Sequence, residues 1–330
     1  MEPLIILVIL ASFLCTLFIM PIWIRKAKEI GLIWEDMNKP RREKNVAGSG
    51  GIIVVLGAMV GIFSYIAIKT FYFKEADGNL VEIFAILSTI FLVAGIGLVD
   101  DLTGWKKGGL SIRSRLILIL FSTIPLMTIN AGESTIFGIS LGILYPLLLM
   151  PIGIVGATVT FNFLAGFNGL ESSQGILVLS ALSITTYLTG NTWLSVIGMI
   201  MVACLFAFYI FNKNPARVFP GNVLTYSVGA LIAMMAILGD IEEIAVFFFI
   251  PYIVEMLLKS SGKLRKHSFG KPNEDGSLEM PYEKIYGLEH AAIWLLKKIK
   301  PSKKAYEKEV VWLINGFQIL IIIVGFIIFF

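Results

Sequence analysis

Two adjacent carboxylates are the first residues of the sequence that could take part in a reaction. Asp100 and Asp101 end an apolar run of membrane-spanning length within LVAGIGLVDDLTGWKKGG (92–109). A charge at the bilayer centre costs roughly 2.5–3.5 kcal/mol on insertion scales, so the acids are expected where the span ends. Because neighbouring acids repel each other, the pair is predicted to serve a cation or a phosphoryl group in transfer. The alternative interpretation is a plain solvated span end.

A polar loop is the second such feature. The stretch FNFLAGFNGLESSQG (161–175) carries no Lys or Arg. Its candidate ligand-binding residues are Asn162, Gly166, Asn168, Gly169, Glu171 and Gln174. Amide and carboxylate oxygens suit magnesium, and glycines let the backbone approach a ligand closely. The alternative is an ordinary Gly/Asn turn between two spans.

Basic residues surround these groups in three clusters. The clusters are Lys39, Arg41, Arg42 and Lys44; then Lys106, Lys107, Arg113 and Arg115; then Lys263, Arg265, Lys266 and His267. Acids and amides with bases around them indicate a magnesium–phosphate site, in which the ion bridges phosphate oxygens. The alternative for any single basic residue is a topology signal or a lipid-headgroup contact.

The elements that position these residues are membrane spans. The chain has 330 residues, of which 57% are hydrophobic and 15% charged, with a mean hydropathy of +0.84. Soluble domains are typically about 45–50% apolar and 25% charged, so the composition indicates a polytopic, all-α membrane protein and excludes a soluble globular one. One membrane-embedded domain over 1–330 is predicted. Cys15 and Cys204 lie in apolar runs and predict neither a disulfide framework nor a metal site.

Ten spans of about 20 apolar residues are predicted along the chain. They are 4–24, 51–68, 83–99, 116–131, 143–161, 175–190, 193–211, 222–239, 244–258 and 310–330. With the N-terminus outside, the segments 25–50, 100–115, 162–174, 212–221 and 259–309 face the cytoplasm. They hold 25 of the 27 Lys and Arg residues, all except Lys69 and Lys74. This asymmetry is what the positive-inside rule describes.

The long cytoplasmic segment 259–309 contains an amphipathic helix in EKIYGLEHAAIWLLKKIK. Its apolar residues recur at helical spacing, at Ile285, Leu288, Ala292, Leu295 and Ile299. This pattern predicts a helix that lies at the membrane interface.

A membrane transporter of a nucleotide-sugar or anionic solute is the alternative class. Transporters carry ionisable residues near the bilayer midplane on broken helices. Glu255, near the inner end of the ninth predicted span, is the sole charged residue within the ten spans. The polar residues are instead gathered on one face, which favours an enzyme.

Four ordered motifs resemble one known family. GLVDDLTGW, FNFLAGFNGLE, RVFPGNVLTYSVGA and DMNK…KNVAGSGG are similar to those of the polyprenyl-phosphate N-acetylhexosamine-1-phosphate transferases. The LAGFNGLE form resembles the eukaryotic and archaeal dolichyl-phosphate branch, which is related to bacterial phospho-MurNAc-pentapeptide translocase. The resemblance implies transfer of GlcNAc-1-phosphate, or a related sugar phosphate, from a UDP-sugar to a polyprenyl or dolichyl phosphate, with release of UMP. It implies the first step of N-glycan or surface-glycan assembly.

The resemblance also implies roles for residues. Asp100 and Asp101 match a catalytic acid pair near the lipid phosphate, and magnesium is expected at Asn162 and Asn222, with manganese as the alternative ion. The predicted substrate-binding residues are Lys39, Lys44, Arg115, Gly166, Asn168, Gly169, Glu171, Lys266 and His267. Among them, Gly166, Asn168 and Gly169 match a segment near uridine, and Lys266 and His267 match a loop that holds the amino sugar.

Two positions depart from the family pattern. Asn222 stands where the family has a magnesium-binding aspartate, and Gly48 stands where it has an acid. A competing interpretation of Asn222 is that it merely caps the helix of span eight. The two departures also leave open a non-catalytic paralogue of the transferase. For the chemistry, a double displacement through an aspartyl intermediate stays open.

The expected partners are a UDP-sugar, a polyprenyl or dolichyl phosphate and the bilayer, without nucleic acid. A monomer and a homodimer both stay open. The expected location is an archaeal cell membrane or the endoplasmic reticulum membrane, with the active site on the cytoplasmic face.

Overall fold

The computed structural model describes residues 3–41, 44–74, 78–132, 135–136 and 139–330. The side chains at 44, 105–107, 135–136 and 139–140 are not among the described ones. Arg42 and the side chains of Lys44, Lys106 and Lys107, from the predicted basic clusters, therefore lie outside the described part.

The described chain is predominantly helical. Its α-helices are α1 (Pro3–Glu29), α2 (Gly51–Ala67), α3 (Leu80–Lys107), α4 (Ile112–Phe121), α5 (Ile124–Thr128), α6 (Met150–Phe161), α7 (Leu170–Leu188), α8 (Thr192–Asn212), α9 (Gly221–Leu238), α10 (Glu242–Phe248), α11 (Ile250–Ser261), α12 (Leu288–Ile299) and α13 (Glu307–Phe329). Two π-helical segments, Ile68–Phe73 and Tyr145–Leu149, extend α2 and precede α6.

Short strands accompany the helices, and the architecture is mostly helical, as expected. The strands are β1 (Ile33–Glu35), β2 (Lys44–Ala47), β3 (Thr135–Ile136), β4 (Ile139–Ser140), β5 (Lys271–Pro272), β6 (Ser277–Glu279) and β7 (Ala305–Tyr306). β1 pairs with β2, β3 with β4, and β6 lies between β5 and β7, all antiparallel. These strands form because the polar connections fold back on themselves and pair their own backbone groups.

Within the described residues, six helical segments are long and apolar enough to cross a membrane. They are Pro3–Glu29, Gly51–Phe73, Leu80–Gly104, Thr192–Asn212, Gly221–Leu238 and Glu307–Phe329. The pair α10 and α11, bent by 58°, makes a seventh if it forms one span. The chain is thus built as a multi-pass membrane protein, but the count of ten spans is not confirmed.

The remaining predicted spans fall on shorter or more polar helices. The span at 116–131 is divided between α4 and α5, with Pro125 in the first turn of α5. The span at 143–161 is a π-helical segment followed by the twelve residues of α6. The span at 175–190 lies on α7, which carries Ser, Gln and Thr side chains along its length.

Helix α9 forms the centre of the bundle. Nearly all its residues are buried, and it packs against α2, α3, α6 and α7. Helix α8 packs against α1, α2 and α7. The large exposed apolar side chains include many on α1, α4 and α13, as expected for helices that face lipid.

The acid pair lies inside α3 and not at its end. The helix continues to Lys107, beyond the apolar run that ends before Asp100. Both carboxylates are buried against protein partners, which replace the water of a solvated span end.

The amphipathic helix α12 also differs from its predicted form. It begins at Leu288, and its buried residues are Glu289, His290, Ala292 and Ile293. Ile299, expected on the apolar face, is 70% exposed. The buried face is rotated because Glu289 and His290 pack against α11 and the loop after it, as described below.

Candidate active site

Asp100 is fixed by four groups. Its Oδ1 accepts the main-chain N–H of Leu110 at 2.7 Å. Its Oδ2 accepts the side-chain amide of Asn222 at 2.8 Å and the Tyr226 hydroxyl at 3.2 Å, and Arg115 Nε lies 3.2 Å from it. The residue is 3% exposed. Such a set of donors holds a carboxylate in one orientation.

Asp101 faces a different set of groups. Its Oδ2 accepts the Ser49 hydroxyl at 2.9 Å, and its Oδ1 accepts the main-chain N–H of Asn222 at 2.8 Å. Asn222 therefore bonds both acids, one through its side chain and the other through its main chain. Asp101 lines the large cavity of the protein, whereas Asp100 lies behind Asn222.

Close approach of α3 and α9 brings these groups together. A Cβ at Gly97 would lie 2.6 Å from the main-chain N of Val223 and 2.7 Å from the carbonyl O of Asn222. A side chain at this position would force the helices apart. Glycine at 97 therefore lets the acids of α3 reach the first turn of α9.

Asn222 does not cap α9. The capping position is Pro220, and Asn222 is the second residue of the helix. The alternative interpretation of Asn222 as an N-cap is therefore wrong. One turn later Thr225 donates a hydrogen bond of 2.9 Å to Asn162 Oδ1, and all three side chains line the cavity.

Gly166 is held from both sides. Its N–H donates to Glu171 Oε1 at 2.8 Å, and its carbonyl accepts the side-chain amide of Asn38 at 2.8 Å. Its φ of +102° is a conformation that favours glycine, and a Cβ there would lie 2.7 Å from the ring of Phe269. Gly166 and Glu171 both line the cavity. Burial raises the pKa of the Glu171 carboxyl to about 7.

Asn168 and Gly169 support this loop from outside the cavity lining. The main-chain N–H of Asn168 donates to Glu307 at 2.8 Å, and its side-chain amide donates to Asp36 at 2.9 Å. Gly169, with φ of +86°, precedes α7 and packs beside Tyr209. Both residues lie in the loop where they were expected, and neither lines the cavity.

The predicted basic residues Lys39 and Arg115 are engaged in ion pairs. Lys39 contacts Glu307, lies 3.8 Å from Asp36 and donates to Asn214 at 3.1 Å. Arg115 pairs with Asp100 and donates to the carbonyl of Leu110 at 3.1 Å. Neither Lys39 nor Arg115 belongs to the residues that line the cavity.

Lys266 and His267 do line the cavity. The ammonium of Lys266 lies 4.6 Å from the ring centre of Tyr282, and the Tyr282 hydroxyl accepts the main-chain N–H of His267 at 3.2 Å. The His267 ring stacks beside Phe269 at 6.5 Å between centres. This aromatic packing fixes the loop that carries both residues.

A buried charged cluster lies beneath this loop. Lys259 lines the cavity, contacts the Ser268 hydroxyl and lies 3.4 Å from Glu255 Oε1. Glu255 Oε2 in turn accepts the N–H of Leu288 at 2.6 Å, at the start of α12. Glu289 is completely buried beside this pair. Burial raises the pKa of Glu289 well above its usual value, which favours its protonated form.

His290 completes the cluster. Its Nδ1 accepts the main-chain N–H of Tyr286 at 3.3 Å, and its ring meets that of Tyr282 edge to face at 5.6 Å. Burial, with Lys259 nearby, lowers the pKa of His290 to about 4, so it is neutral at physiological pH.

The cavity that these residues surround has a volume of about 1320 Å³. The predicted site residues among its lining are Asp101, Asn162, Gly166, Glu171, Asn222, Lys266 and His267. A volume above 1,000 Å³ accommodates a ligand larger than most drug-sized molecules. The arrangement offers oxygen ligands from α3, α6 and α9, and cations from the segment after α11.

The comparisons with known proteins agree with this geometry. Residues 83–240 match the family described as glycosyl transferase family 4. A protein of Saccharolobus solfataricus, provisionally named UDP-N-acetylglucosamine–dolichyl-phosphate N-acetylglucosaminephosphotransferase, is 35% identical over 87% of each chain. The chain belongs to glycosyl transferase family 4. The resemblance to polyprenyl-phosphate N-acetylhexosamine-1-phosphate transferases is thereby confirmed.

Two further relatives show how widely the similarity extends. A Sulfolobus acidocaldarius protein with the same provisional name is 29% identical over 97% of this chain and 95% of its own. A phospho-N-acetylmuramoyl-pentapeptide-transferase of Streptococcus thermophilus is 28% identical over 79% of this chain and 81% of its own.

The donor set of this family member is compatible with magnesium. Asp101, Asn162 and Asn222 offer one carboxylate and two amide oxygens at the cavity. Among the described residues no group of three or more His, Cys, Asp or Glu side chains forms a metal site. Magnesium is commonly held by one or two carboxylates together with substrate phosphates, so a sparse protein set fits it.

The structure explains the second departure from the family pattern. A Cβ at Gly48 would lie 2.6 Å from Nε1 of Trp34, whose indole lines the cavity. The Gly48 carbonyl accepts the indole N–H of Trp23 at 3.0 Å. An acidic side chain at position 48 has no room while Trp34 keeps this position.

Several functional candidates were missed by the sequence analysis. Asn38, Ser49, Thr225 and Lys259 bond the predicted residues or line the cavity. Ser49 and Thr225 stand within the quoted motifs, so the motifs could have identified them. Glu255 and Lys259 are four residues apart, the spacing of a helical ion pair, and this spacing could have identified Lys259.

Proposed function

We propose that this chain transfers N-acetylglucosamine-1-phosphate from UDP-N-acetylglucosamine to dolichyl phosphate and releases UMP. The observation that carries this proposal is the joint bonding of Asp100 and Asp101 by Asn222 at the wall of a large cavity. The names of the two archaeal relatives supply the substrates. The chain is accordingly a phosphotransferase, with a place at the start of glycan assembly on a lipid carrier.

The acceptor needs little help from a base. A phosphate monoester has its second pKa near 6, so the lipid phosphate is largely dianionic at neutral pH. Asp100, held by four groups behind Asn222, orients the acceptor through these partners. An acceptor oxygen then forms a bond to the β-phosphorus while the bond from this phosphorus to the bridging oxygen breaks. The electron pair leaves with UMP.

A direct displacement is favoured over an aspartyl intermediate. Each carboxylate oxygen of Asp100 and Asp101 accepts at least one hydrogen bond in the structure. Such bonds stabilise a carboxylate and lower its nucleophilicity. The acids are therefore assigned to orientation and charge, and the reaction depends on positioning, as in phosphoryl transfer generally.

Magnesium is proposed at Asp101, Asn162 and Asn222, with manganese as the alternative ion. When bound, it neutralises charge on the diphosphate of the donor. Lys259, Lys266 and Lys271 line the same cavity and compensate the negative charge of the leaving nucleotide.

The site is proposed to face the cytoplasm. The distribution of Lys and Arg over the predicted loops supports this orientation. The archaeal relatives favour an archaeal cell membrane over the endoplasmic reticulum.

The deciding experiment is a UMP-release assay with purified protein, magnesium, UDP-N-acetylglucosamine and dolichyl phosphate. We expect UMP and a lipid-diphosphate sugar in equal amounts, and neither product when dolichyl phosphate is omitted. In sealed vesicles, saturable uptake of the nucleotide sugar without UMP release would instead establish the transporter alternative.

A further inference from the structure

One buried side chain, Asn38, joins the two loops that wall the cavity. Its Nδ2 donates to the carbonyl of Gly166 at 2.8 Å, and its Oδ1 accepts the N–H of Gly270 at 3.1 Å. The residue is 2% exposed. It lies between the strands β1 and β2, far along the chain from both glycines. Both hydrogen bonds are therefore long-range tertiary contacts of a single amide.

Both loops contribute to the cavity wall. The first, residues 162–169, lines it with Ala165, Gly166 and Phe167 among others, and the second, residues 264–271, lines it with Leu264 and its last six residues. The loops also touch directly, because the Phe269 ring packs on Gly166. Their separation fixes the width of the cavity at this point.

Asparagine is well suited to this link. Its amide presents a donor and an acceptor at one end, and both are used here. Aspartate has the same shape but, when ionised, no donor for the Gly166 carbonyl. Alanine removes both bonds and leaves a buried N–H and a buried C=O without this partner.

The position of Asn38 is itself fixed. Its main-chain N–H donates to Asp36 Oδ1 at 3.3 Å, and Asp36 Oδ2 accepts the side-chain amide of Asn168. Gly166, in contrast, is also held through its N–H by Glu171. Loss of the Asn38 amide would therefore untie Gly270 from the 162–169 loop, while Gly166 keeps its bond to Glu171. The rest of the 264–271 loop keeps its bonds at His267 and Ser268.

We propose that Asn38 is a positioning residue that sets the spacing of the two loops, and thereby the affinity for a ligand that contacts both. This inference rests on the proposed function, which puts a nucleoside-diphosphate sugar in the cavity. This role of Asn38 requires UDP-N-acetylglucosamine to contact both loops. UMP lacks the sugar and one phosphate, so it is expected to depend less on their spacing.

The binding test compares these two ligands with full-length purified protein. In Asn38→Ala, the dissociation constant of UDP-N-acetylglucosamine should rise about tenfold, the scale of two lost buried hydrogen bonds, while that of UMP rises less than about twofold. An equal loss for both ligands, or no loss for either, overturns the proposal. The matched control is Asn191→Ala, which removes a partly buried amide-to-carbonyl bond of 3.2 Å to Gly239 and should change neither constant.

Amide hydrogen exchange on the ligand-free protein tests the link itself. In Asn38→Ala, exchange of the Gly270 amide should accelerate at least tenfold while exchange in α9 stays unchanged. Asn38→Asp keeps the acceptor for Gly270, so it should leave the Gly270 amide protected and lose UDP-N-acetylglucosamine affinity by less than Asn38→Ala. Unchanged exchange in Asn38→Ala overturns the proposal. If exchange accelerates in this variant but the wild-type protein fails to bind UDP-N-acetylglucosamine, the proposed function is refuted instead, because the exchange test needs no substrate.

Discussion

The side-chain amide of Asn222 lies 2.8 Å from Oδ2 of Asp100 and donates its N–H to it. In this arrangement Asn222 serves as a hydrogen-bond donor to the acid pair and still presents its amide oxygen. A carboxylate at position 222 would place a negative charge next to Asp100, where the chain now has a hydrogen-bond donor. The loss of the donor and the gain of charge can be separated by experiment.

Asn222→Asp should lower stability in the presence of a chelator. The hydrogen bond to Asp100 is lost and two carboxylates face each other, which corresponds to about 1–3 kcal/mol for a buried group. Magnesium should stabilise the variant more than the wild type, because the ion prefers anionic oxygen. For the same reason the variant should need a lower magnesium concentration for half-maximal activity. Melting curves at several magnesium concentrations measure the first effect. An identical response to magnesium in both proteins would remove Asn222 from the metal site.

Asp100→Asn should reduce turnover far more than donor affinity. Removing a group that orients the acceptor can reduce the rate about 10²-fold. The affinity for UDP-N-acetylglucosamine should stay within about threefold, because the proposed role is on the acceptor side. UMP release and equilibrium binding report the two quantities. Asp275→Asn, which breaks an exposed pair with Lys304, is the control, and turnover equal to wild type in Asp100→Asn would exclude the role.

Stability should fall as pH rises from about 4.5 to 7 because of Glu171. Burial raises the pKa of this carboxyl to about 7 in the folded protein, against 4.5 for the unfolded chain. Between these pH values the folded state binds more protons than the unfolded state. The contribution of Glu171 to stability is therefore fully present below pH 4.5 and lost above pH 7. The change is about 3 kcal/mol at most.

Glu171→Gln should remove this dependence. Glutamine keeps an acceptor for the Gly166 N–H but has no titrating proton. The slope of melting temperature against pH should decrease in this variant and stay unchanged in Glu274→Gln, an exposed control. An unaltered slope in Glu171→Gln would show that other groups cause it.

Lys39→Met should lower the stability of the protein more than it weakens substrate binding. The substitution leaves the buried Glu307 carboxylate without its cation, at about 1–3 kcal/mol. The double variant Lys39→Met/Glu307→Gln should recover part of the loss. Lys304→Met, which breaks the exposed pair with Asp275, should cost less than about 1 kcal/mol. A stable Lys39→Met variant with specifically weakened UMP binding would support a phosphate contact instead.

The orientation in the membrane can be checked by cysteine labelling. Lys271 on the cavity side and Thr189 at the end of α7 are both exposed. In a protein without Cys15 and Cys204, a cysteine at 271 should be labelled only from the cytoplasmic side and one at 189 only from the opposite side. Labelling of both from the same side would contradict the topology.

The sequence was sufficient for the parts of the fold that depend on local pattern. Apolar run length located the helices, and motif composition located the acids and amides of the cavity. The sequence did not predict which distant side chains would contact each other. Lys39 and Glu307 are 268 residues apart, and nothing local in the sequence shows that their loops meet. The same holds for Asn38, whose two partners lie in different loops.

The course of two helices also differs from what hydropathy alone predicts. The apolar run ends before Asp100, but α3 extends to Lys107, with the acids buried against Ser49, Asn222 and Tyr226. The bend of 58° between α10 and α11 occurs inside the predicted span 244–258, with Pro251 in the first turn of α11. The burial of the acids depends on tertiary contacts, which hydropathy does not contain, whereas Pro251 was a local signal for the bend.

The contact between Trp34 and Gly48 makes the substitutions tolerated at one position depend on the residue at the other. With the indole 2.6 Å from the place where a Cβ would stand, any side chain at 48 overpacks the wall of the cavity. An acid at 48 therefore requires the Trp34 indole, which is 37% exposed, to move, or position 34 to become smaller. Glycine at 48 is thus held in place by a neighbour and not by its own chemistry.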